Sequence, residues 1–418
     1  MVASNIALQA RPFKVLVAGG SYGGLGAALN LLDLCAGRFP RFQYNPVGEP
    51  ENRKITLEIT IVDERDGYFH LISSPLALAS GTFAPKAWRK FNDIPALRSI
   101  KTIRGTVERV DSKLRRATIV EAESGSSLEA TYDFFVGASG LRRAWPVVPQ
   151  SLTKETYLSE ALRHIDLVKS ARRGVVVVGG GAVGIEMAAE IKLVMPTQQV
   201  TLIHSRDKLL SSESLPDEFK ERSRTILEGM GVKVLMGQRV LETIKSTSED
   251  GSPYSQLHLD GGQTVVAGHV IYAMSKSIPS TAYMPPASLD EQQYVKIAPS
   301  LNLLSGIPNA RYHFAVGDIA RWSGIKRCGT AMHMGQYAAH NIHQLMLQQL
   351  YQHQPNFKEL DPIPPMMGIA IGTQAVAYHP SEGTTFGEQV LKSSFGDDMG
   401  DTSMYLLSQT LKCADPFA

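Results

Sequence analysis

The chain has 418 residues, 43% hydrophobic and 20% charged, with a formal net charge of +2. This describes an ordinary soluble globular protein of two to three domains, at a soft figure of roughly 150 residues each. With no dense Lys/Arg stripe and no RNA- or DNA-binding motif, nucleic acid is excluded as a partner.

The first elements are a strand at Lys14–Ala18, a turn Gly19-Gly20-Ser21-Tyr22-Gly23-Gly24, and an apolar helical run from Leu25 to Leu34. A polar insert, Ala36 to Lys54, is broken by Pro40, Pro46 and Pro50 and reads as a surface loop. A second strand, Ile55–Val62, closes on Asp63. Thr102 to Val136 alternates as β structure does, with Gly/Ser turns at 125–127, and ends in Ala138-Ser139-Gly140. The unit then repeats: strand Gly174–Val178, turn Gly179 to Gly184, helix Ile185–Ile191, and strand Gln199–Ile203 closing on His204. Leu257 to Ala273 is again β-patterned. A strand at Tyr312–Val316 delivers Gly317-Asp318, and a long helix runs from Thr330 to about Gln352. Asp361 to Ala418, Pro-rich and then mixed, forms a small C-terminal domain.

A strand, a Gly-rich turn and a helix aim backbone N–H groups and the positive helix end at a pyrophosphate. The first copy reads Gly19-x-Ser21-x-x-Gly24, with Gly20 and Gly23 inside it. Serine at the middle position is small, and its hydroxyl can donate to a phosphate. Asp63 is placed to accept from a ribose hydroxyl. The second copy is complete, at Gly179, Gly181 and Gly184, with Glu186 and Glu190 on its helix. Its strand end lacks an acid and carries His204-Ser205-Arg206. A carboxylate there favours the free 2′-hydroxyl of NADH, whereas Arg and His beside a Ser suit a 2′-phosphate. NADPH use is therefore expected alongside NADH; the alternative is a solvated Arg at a strand end. Asp318 can accept from a flavin ribityl hydroxyl, and the helix behind it can aim its dipole at the flavin pyrimidine.

This order of motifs resembles the two-dinucleotide-binding-domain flavoproteins, the pyridine nucleotide–disulfide reductase-like superfamily. Within it the chain looks like the apoptosis-inducing-factor-like group, which includes the ferroptosis-suppressing NAD(P)H:quinone oxidoreductases and is related to type II NADH dehydrogenases. The resemblance rests on Val62-Asp63-Glu64-Arg65 leading to Tyr68-Phe69-His70, on Phe135 to Gly140, on Gly179 to Glu190, on Ala315 to Asp318, and on Gly335 to Ile342. Phe395-Gly396-Asp397-Asp398 looks like fungal-type members. The resemblance implies an α/β fold: two Rossmann-like domains plus a small C-terminal domain. It implies FAD held by Gly19, Gly20, Ser21, Gly23, Gly24, Asp63, Val107 (through its backbone near the adenine), Ala138, Ser139, Gly140 and Asp318. NADPH or NADH would sit on Gly179, Gly181, Gly184, Glu186, His204, Ser205 and Arg206.

Two departures stand out. The second linker reads Ala273-Met274-Ser275 where the family has Ala-Thr-Gly, and the segment after Asp63 has Leu71-Ile72-Ser73-Ser74-Pro75 where relatives place a redox thiol. Thiol–disulfide chemistry thus lacks its nucleophile. Cys35, Cys328 and Cys413 are far apart, so no local dithiol or zinc knuckle forms; no metal is expected, and Cys328 is an outside candidate near the flavin. His333, one turn into the flavin-facing helix, is the candidate proton donor; His313 reads as structural. Lys326 and Arg327 read as exposed loop cations, and Met366-Met367 as core.

The expected layout is an FAD domain at 12–150 and 285–355, an NAD(P) domain at 151–284 and a C-terminal domain at 356–418. The expected reaction passes hydride from NAD(P)H to flavin and on to a quinone-like acceptor. Two alternatives stay open: a flavin-dependent tailoring enzyme of specialised metabolism acting on a small organic molecule, and a nucleotide-gated redox signalling protein. Without a signal peptide or a span of ~20 apolar residues, a cytoplasmic protein is expected, with peripheral membrane contact left open.

Overall fold

A computed structural model describes residues 11–41, 53–396 and 399–400. Most of the insert at 36–54, the pair Asp397-Asp398, Cys413 and the C-terminal residues lie outside the described residues. Strand β1 (Phe13–Ala18) leads through the first Gly turn into α1 (Tyr22–Cys35), then β2 (Leu57–Asp63). Three antiparallel neighbours follow, β3 (Lys101–Asp111), β4 (Arg116–Glu121) and β5 (Ser127–Thr131), before β6 (Phe134–Gly137).

Helix α2 (Lys154–Lys169) is started by a capping box between Thr153 and Thr156. The second unit is β7 (Val175–Val178), α3 (Ala182–Val194), β8 (Val200–Ile203), α4 (Asp217–Gly229) and β9 (Lys233–Leu235). An antiparallel excursion, β10 (Val240–Thr247), β11 (Pro253–Leu259) and β12 (Thr264–Ala267), precedes β13 (His269–Tyr272). The chain returns as β14 (His313–Ala315) and α5 (Cys328–Tyr351), and ends in a meander, β15 (Met367–Ile371), β16 (Gln374–His379) and β17 (Gly383–Gly387), with α6 (Glu388–Phe395).

The larger sheet has the order β14-β6-β1-β2-β3-β4-β5. It is parallel from β14 to β3 and antiparallel beyond. Its strand β6 is apolar throughout because helices and loops cover both faces: Phe134, Phe135 and Val136 are fully buried. The smaller sheet, β9-β8-β7-β13, is wholly parallel. These are two Rossmann-like α/β units with a small C-terminal unit.

Two cores result. One lies around the larger sheet and α5. The other joins Val175 and Leu202 of the smaller sheet to Phe69 and Trp88 of the first unit and to Ile369, Ile371 and Val376 of the C-terminal meander. Trp88 stacks on Tyr157 of α2 with ring centroids 5.4 Å apart, and Phe69 meets Tyr157 edge-on at 5.1 Å. Among the described residues no helix is long and apolar enough to cross a membrane.

Candidate nucleotide-binding sites

The first turn is built by steric necessity. Gly19 has φ of +110°, and a Cβ on Gly24 would stand 1.8 Å from the Gly19 carbonyl oxygen. Ser21 starts α1 through its backbone alone: its hydroxyl makes no capping hydrogen bond, and the first turn of α1 holds no acid. A phosphate there would meet helix N–H groups, the helix dipole and an uncommitted hydroxyl. Asp63, at the end of β2, shapes the turn. Its Oδ2 accepts the Gly20 amide at 2.7 Å and its Oδ1 accepts the Arg65 amide at 2.8 Å. Desolvation raises its pKa, and these two N–H groups oppose the rise. Val107 lies half-buried on β3, beside a β-bulge.

β6 and β14 bring the remaining residues to the same sheet edge. The Ala138 amide donates to the Ala18 carbonyl at 2.7 Å. The Ser139 hydroxyl, expected at the cofactor, donates instead to the Ser280 carbonyl at 2.7 Å and lies 2.9 Å from the Tyr283 hydroxyl. Gly140 follows in the left-handed region with φ of +68°. Asp318 stands in a short turn after β14, its Oδ2 3.6 Å from an Arg143 nitrogen. At the start of α5, Arg327 Nε and Thr330 Oγ1 are buried without a partner. Those atoms and the free Ser21 hydroxyl are donors that a polar, anionic group held between α1 and α5 would satisfy, so the residues fit a bound flavin dinucleotide.

Lys326 and Arg327 are less exposed than loop cations would be. The Lys326 amine donates to the Ala320 carbonyl, and burial lowers its pKa against the pull of Asp318. His333 packs on Tyr337 of the same helix with ring centroids 4.2 Å apart, and burial lowers its pKa. His313 is buried and bonded through Nε2 to the Tyr132 hydroxyl at 2.9 Å, a structural arrangement. Burial pushes the Cys328 thiol up to about 11, which leaves it protonated and weakly nucleophilic.

The second turn repeats the first. Gly179 has φ of +121°, and a Cβ on Gly184 would stand 1.9 Å from the Gly179 carbonyl oxygen. At Gly181 no atom lies within 4 Å of where a Cβ would be, so the turn opens onto free space. His204 occupies the strand end. Its Nδ1 accepts the Gly180 amide at 3.1 Å, and its Nε2 lies 3.2 Å from the Ser211 hydroxyl. Beside the turn is a cleft of about 440 Å³, lined by Gly179, Ser205, Arg239, Glu242, Tyr272 and Met274 among others. Ser205 is on its wall; Arg206 is exposed and is not among the lining residues. Glu186 turns toward the C-terminal meander, where Oε1 accepts the Ala370 amide at 3.3 Å. Burial pushes Glu186 up to about 8 and Glu190 up to about 7.

The two crossovers between the units are joined side by side. Leu141 and Arg142 pair antiparallel with Pro279 and Ile278. Arg143 Nε donates to Ser277 Oγ at 3.1 Å, and the Ala144 amide donates to Ser275 Oγ at 2.6 Å. The unusual Ala273-Met274-Ser275 thus has work of its own: Ser275 fastens one crossover to the other, and the Met274 side chain packs over Gly179.

One cluster has no sequence signal. The Tyr22 and Tyr68 hydroxyls lie 3.1 and 2.8 Å from Nδ1 of buried His70, whose Nε2 donates to the Met399 carbonyl at 2.9 Å. Its members come from the Gly turn, the segment after Asp63 and the chain's end, so no local pattern links them. Among the described residues no group of three or more His, Cys, Asp or Glu is placed to hold a metal.

Comparison with known proteins bears on both turns. The family described as pyridine nucleotide-disulphide oxidoreductase matches residues 13–335. Oxidoreductase OXR1 of Ajellomyces capsulatus is 51% identical over 398 residues, 93% of this chain and 86% of the relative. Ferroptosis suppressor protein 1 of Mus musculus is 26% identical over 337 residues, 80% of each chain. Among solved structures, NDH2 from Plasmodium falciparum superposes with a TM-score of 0.67 at 13% identity, over 95% of this chain and 97% of that one.

Proposed function

Because the chain belongs to the pyridine nucleotide-disulphide oxidoreductase family, in its ferroptosis-suppressor and apoptosis-inducing-factor-like group, we propose that it uses FAD to oxidise NADPH or NADH and reduce a small quinone-like acceptor. The observation that carries this reading is the pair of matched turns, each with a strand-end side chain accepting the second glycine's amide. FAD would lie on the first turn, from Ser21 to Asp318, within 12–150 and 285–355. The nicotinamide nucleotide would lie on the second, within 151–284, and the C-terminal meander would cover the side of α3. When bound, the flavin supplies the electron-transfer chemistry; the protein positions it and excludes water.

The residues divide the remaining tasks. Ser21 and the start of α1 would hold the pyrophosphate, and Asp63 fixes the turn before them through the Gly20 amide. Arg327, Thr330 and the start of α5 would offer donors and positive partial charge to a bound flavin. His333, exposed near the start of α5, and the buried His70 are the imidazoles from which an acceptor could draw a proton. With Cys328 protonated and no thiol in the 71–75 segment, a thiol relay is disfavoured, which supports a small organic acceptor.

The test is an absorption spectrum of the purified protein, taken before and after anaerobic addition of NADPH and then of a short-chain quinone. A flavin spectrum that bleaches with NADPH and recovers with the quinone is expected. A colourless protein that cannot be reconstituted with FAD sinks the reading. Bleaching without recovery by quinones removes the acceptor alone.

A further inference from the structure

The adenosine end of the second site contains an uncommitted cation on its wall. Where NADH-specific folds place a carboxylate that holds both ribose hydroxyls and repels a 2′-phosphate, this chain has His204. A backbone N–H can only donate, so Nδ1 of His204, which accepts from Gly180, carries no proton; the ring is neutral, with its hydrogen on Nε2 toward Ser211. The His204 ring therefore neither repels a phosphate nor supplies charge to bind one, and Arg206 does not line the cleft.

Charge is available from a residue 35 positions further along the chain. Arg239 lines the same cleft as Ser205. Its backbone is pinned from both sides by Asp260: the Arg239 amide donates to Oδ1, and the Asp260 amide donates to the Arg239 carbonyl, each at 3.0 Å. Its guanidinium forms no ion pair among the described residues. Of the lining residues only Glu242 is acidic, and it is exposed.

We propose that Arg239, together with Ser205, seats a phosphate carried on the adenosine 2′-hydroxyl, and so makes the protein prefer NADPH to NADH. This rests on the cleft receiving the adenosine half of a nicotinamide nucleotide. A planar guanidinium can grip a phosphate through two parallel N–H bonds, and the Ser205 hydroxyl adds a third donor.

The test uses the flavin-loaded protein with 2′,5′-ADP and 5′-AMP, which differ only by the 2′-phosphate, in calorimetric titrations at low salt. The wild type is expected to bind 2′,5′-ADP at least about tenfold more tightly, the gain for a phosphate held by a charge-assisted pair. Arg239→Leu should abolish the gap, Arg239→Lys should restore part of it, and Arg206→Leu should keep it. Equal affinities for both ligands in the wild type would overturn the phosphate seat while leaving the nucleotide cleft in place. Loss of the gap in Arg206→Leu with retention in Arg239→Leu would overturn the assignment to Arg239. Binding of neither ligand would overturn the cleft as a nucleotide site and the proposal with it.

Discussion

His204 Nδ1 accepts the Gly180 amide at 3.1 Å, and so performs for the second turn what Asp63 performs for the first. An imidazole can do this only while Nδ1 is unprotonated. Burial lowers the His204 pKa, so the neutral ring is favoured in the folded protein. The contact is therefore complete above the ordinary imidazole value of about 6.5 and is lost as pH falls through the lowered folded value. Affinity for 5′-AMP, measured by titration from pH 8 to pH 5, should fall on the acid side. His204→Asn, whose amide oxygen accepts at any pH, should flatten the profile. A wild-type profile that is already flat would remove His204 from this role.

The glycines at the two turns separate into those that cannot change and one that can. Gly24→Ala and Gly184→Ala place a Cβ under 2 Å from a carbonyl oxygen. Each should cost on the order of 1–3 kcal/mol or more. The first should appear as loss of bound flavin in the purified protein, the second as loss of nucleotide bleaching with flavin retained. Gly181→Ala enters open space and should leave the melting temperature unchanged while weakening nucleotide binding, because the added methyl occupies the ligand's approach. Equal behaviour of Gly181→Ala and Gly184→Ala would contradict this.

Glu190 is buried, and its Oε2 has no partner. Burial raises its pKa from 4.5 to about 7, so the folded protein holds the proton that the unfolded chain releases. Stability is full below the unfolded value and declines as pH rises through the folded one, by on the order of 3 kcal/mol at most. Glu190→Gln keeps the shape and removes the proton, so the gap in denaturation midpoint between pH 5 and pH 8 should shrink. An unchanged gap places the titration elsewhere.

Ser275 holds the two crossovers together through the Ala144 amide. Ser275→Ala should open them locally and raise tryptic cleavage after Lys276 by about fivefold, the factor expected for one lost hydrogen bond. The overall melting temperature should barely move. Cleavage at the wild-type rate would mean that the strand pairing at Ile278 and Pro279 suffices.

Both turns were legible because their constraints are local. Carbonyl clashes at Gly24 and Gly184 and the positive φ of Gly19 and Gly179 admit glycine, and a strand-end residue closes the strand that follows each turn's helix. The strand β10 was missed: Val240–Thr247 is mostly exposed, so its residues do not show the alternation of a half-buried strand. Arg239 was missed with it. Side-chain direction was the other hidden quantity. Glu186 turns to Ala370 and Ser139 to Ser280, and neither partner lies near in sequence. The buried contact of His70 with Tyr22, Tyr68 and Met399 spans the chain from one end to the other, beyond the reach of any periodicity.

The second core has a consequence for synthesis. The smaller sheet is complete once Tyr272 has been made, yet its apolar surface also packs on Ile369, Ile371 and Val376, and the larger unit waits for β14 and α5. At an elongation rate of roughly 5–20 residues per second, a finished-looking α/β layer stays uncovered for several seconds on the ribosome. During that interval a nascent chain truncated before residue 367 is the species most in need of a chaperone, and its release there would yield an aggregating fragment rather than a free-standing nucleotide module.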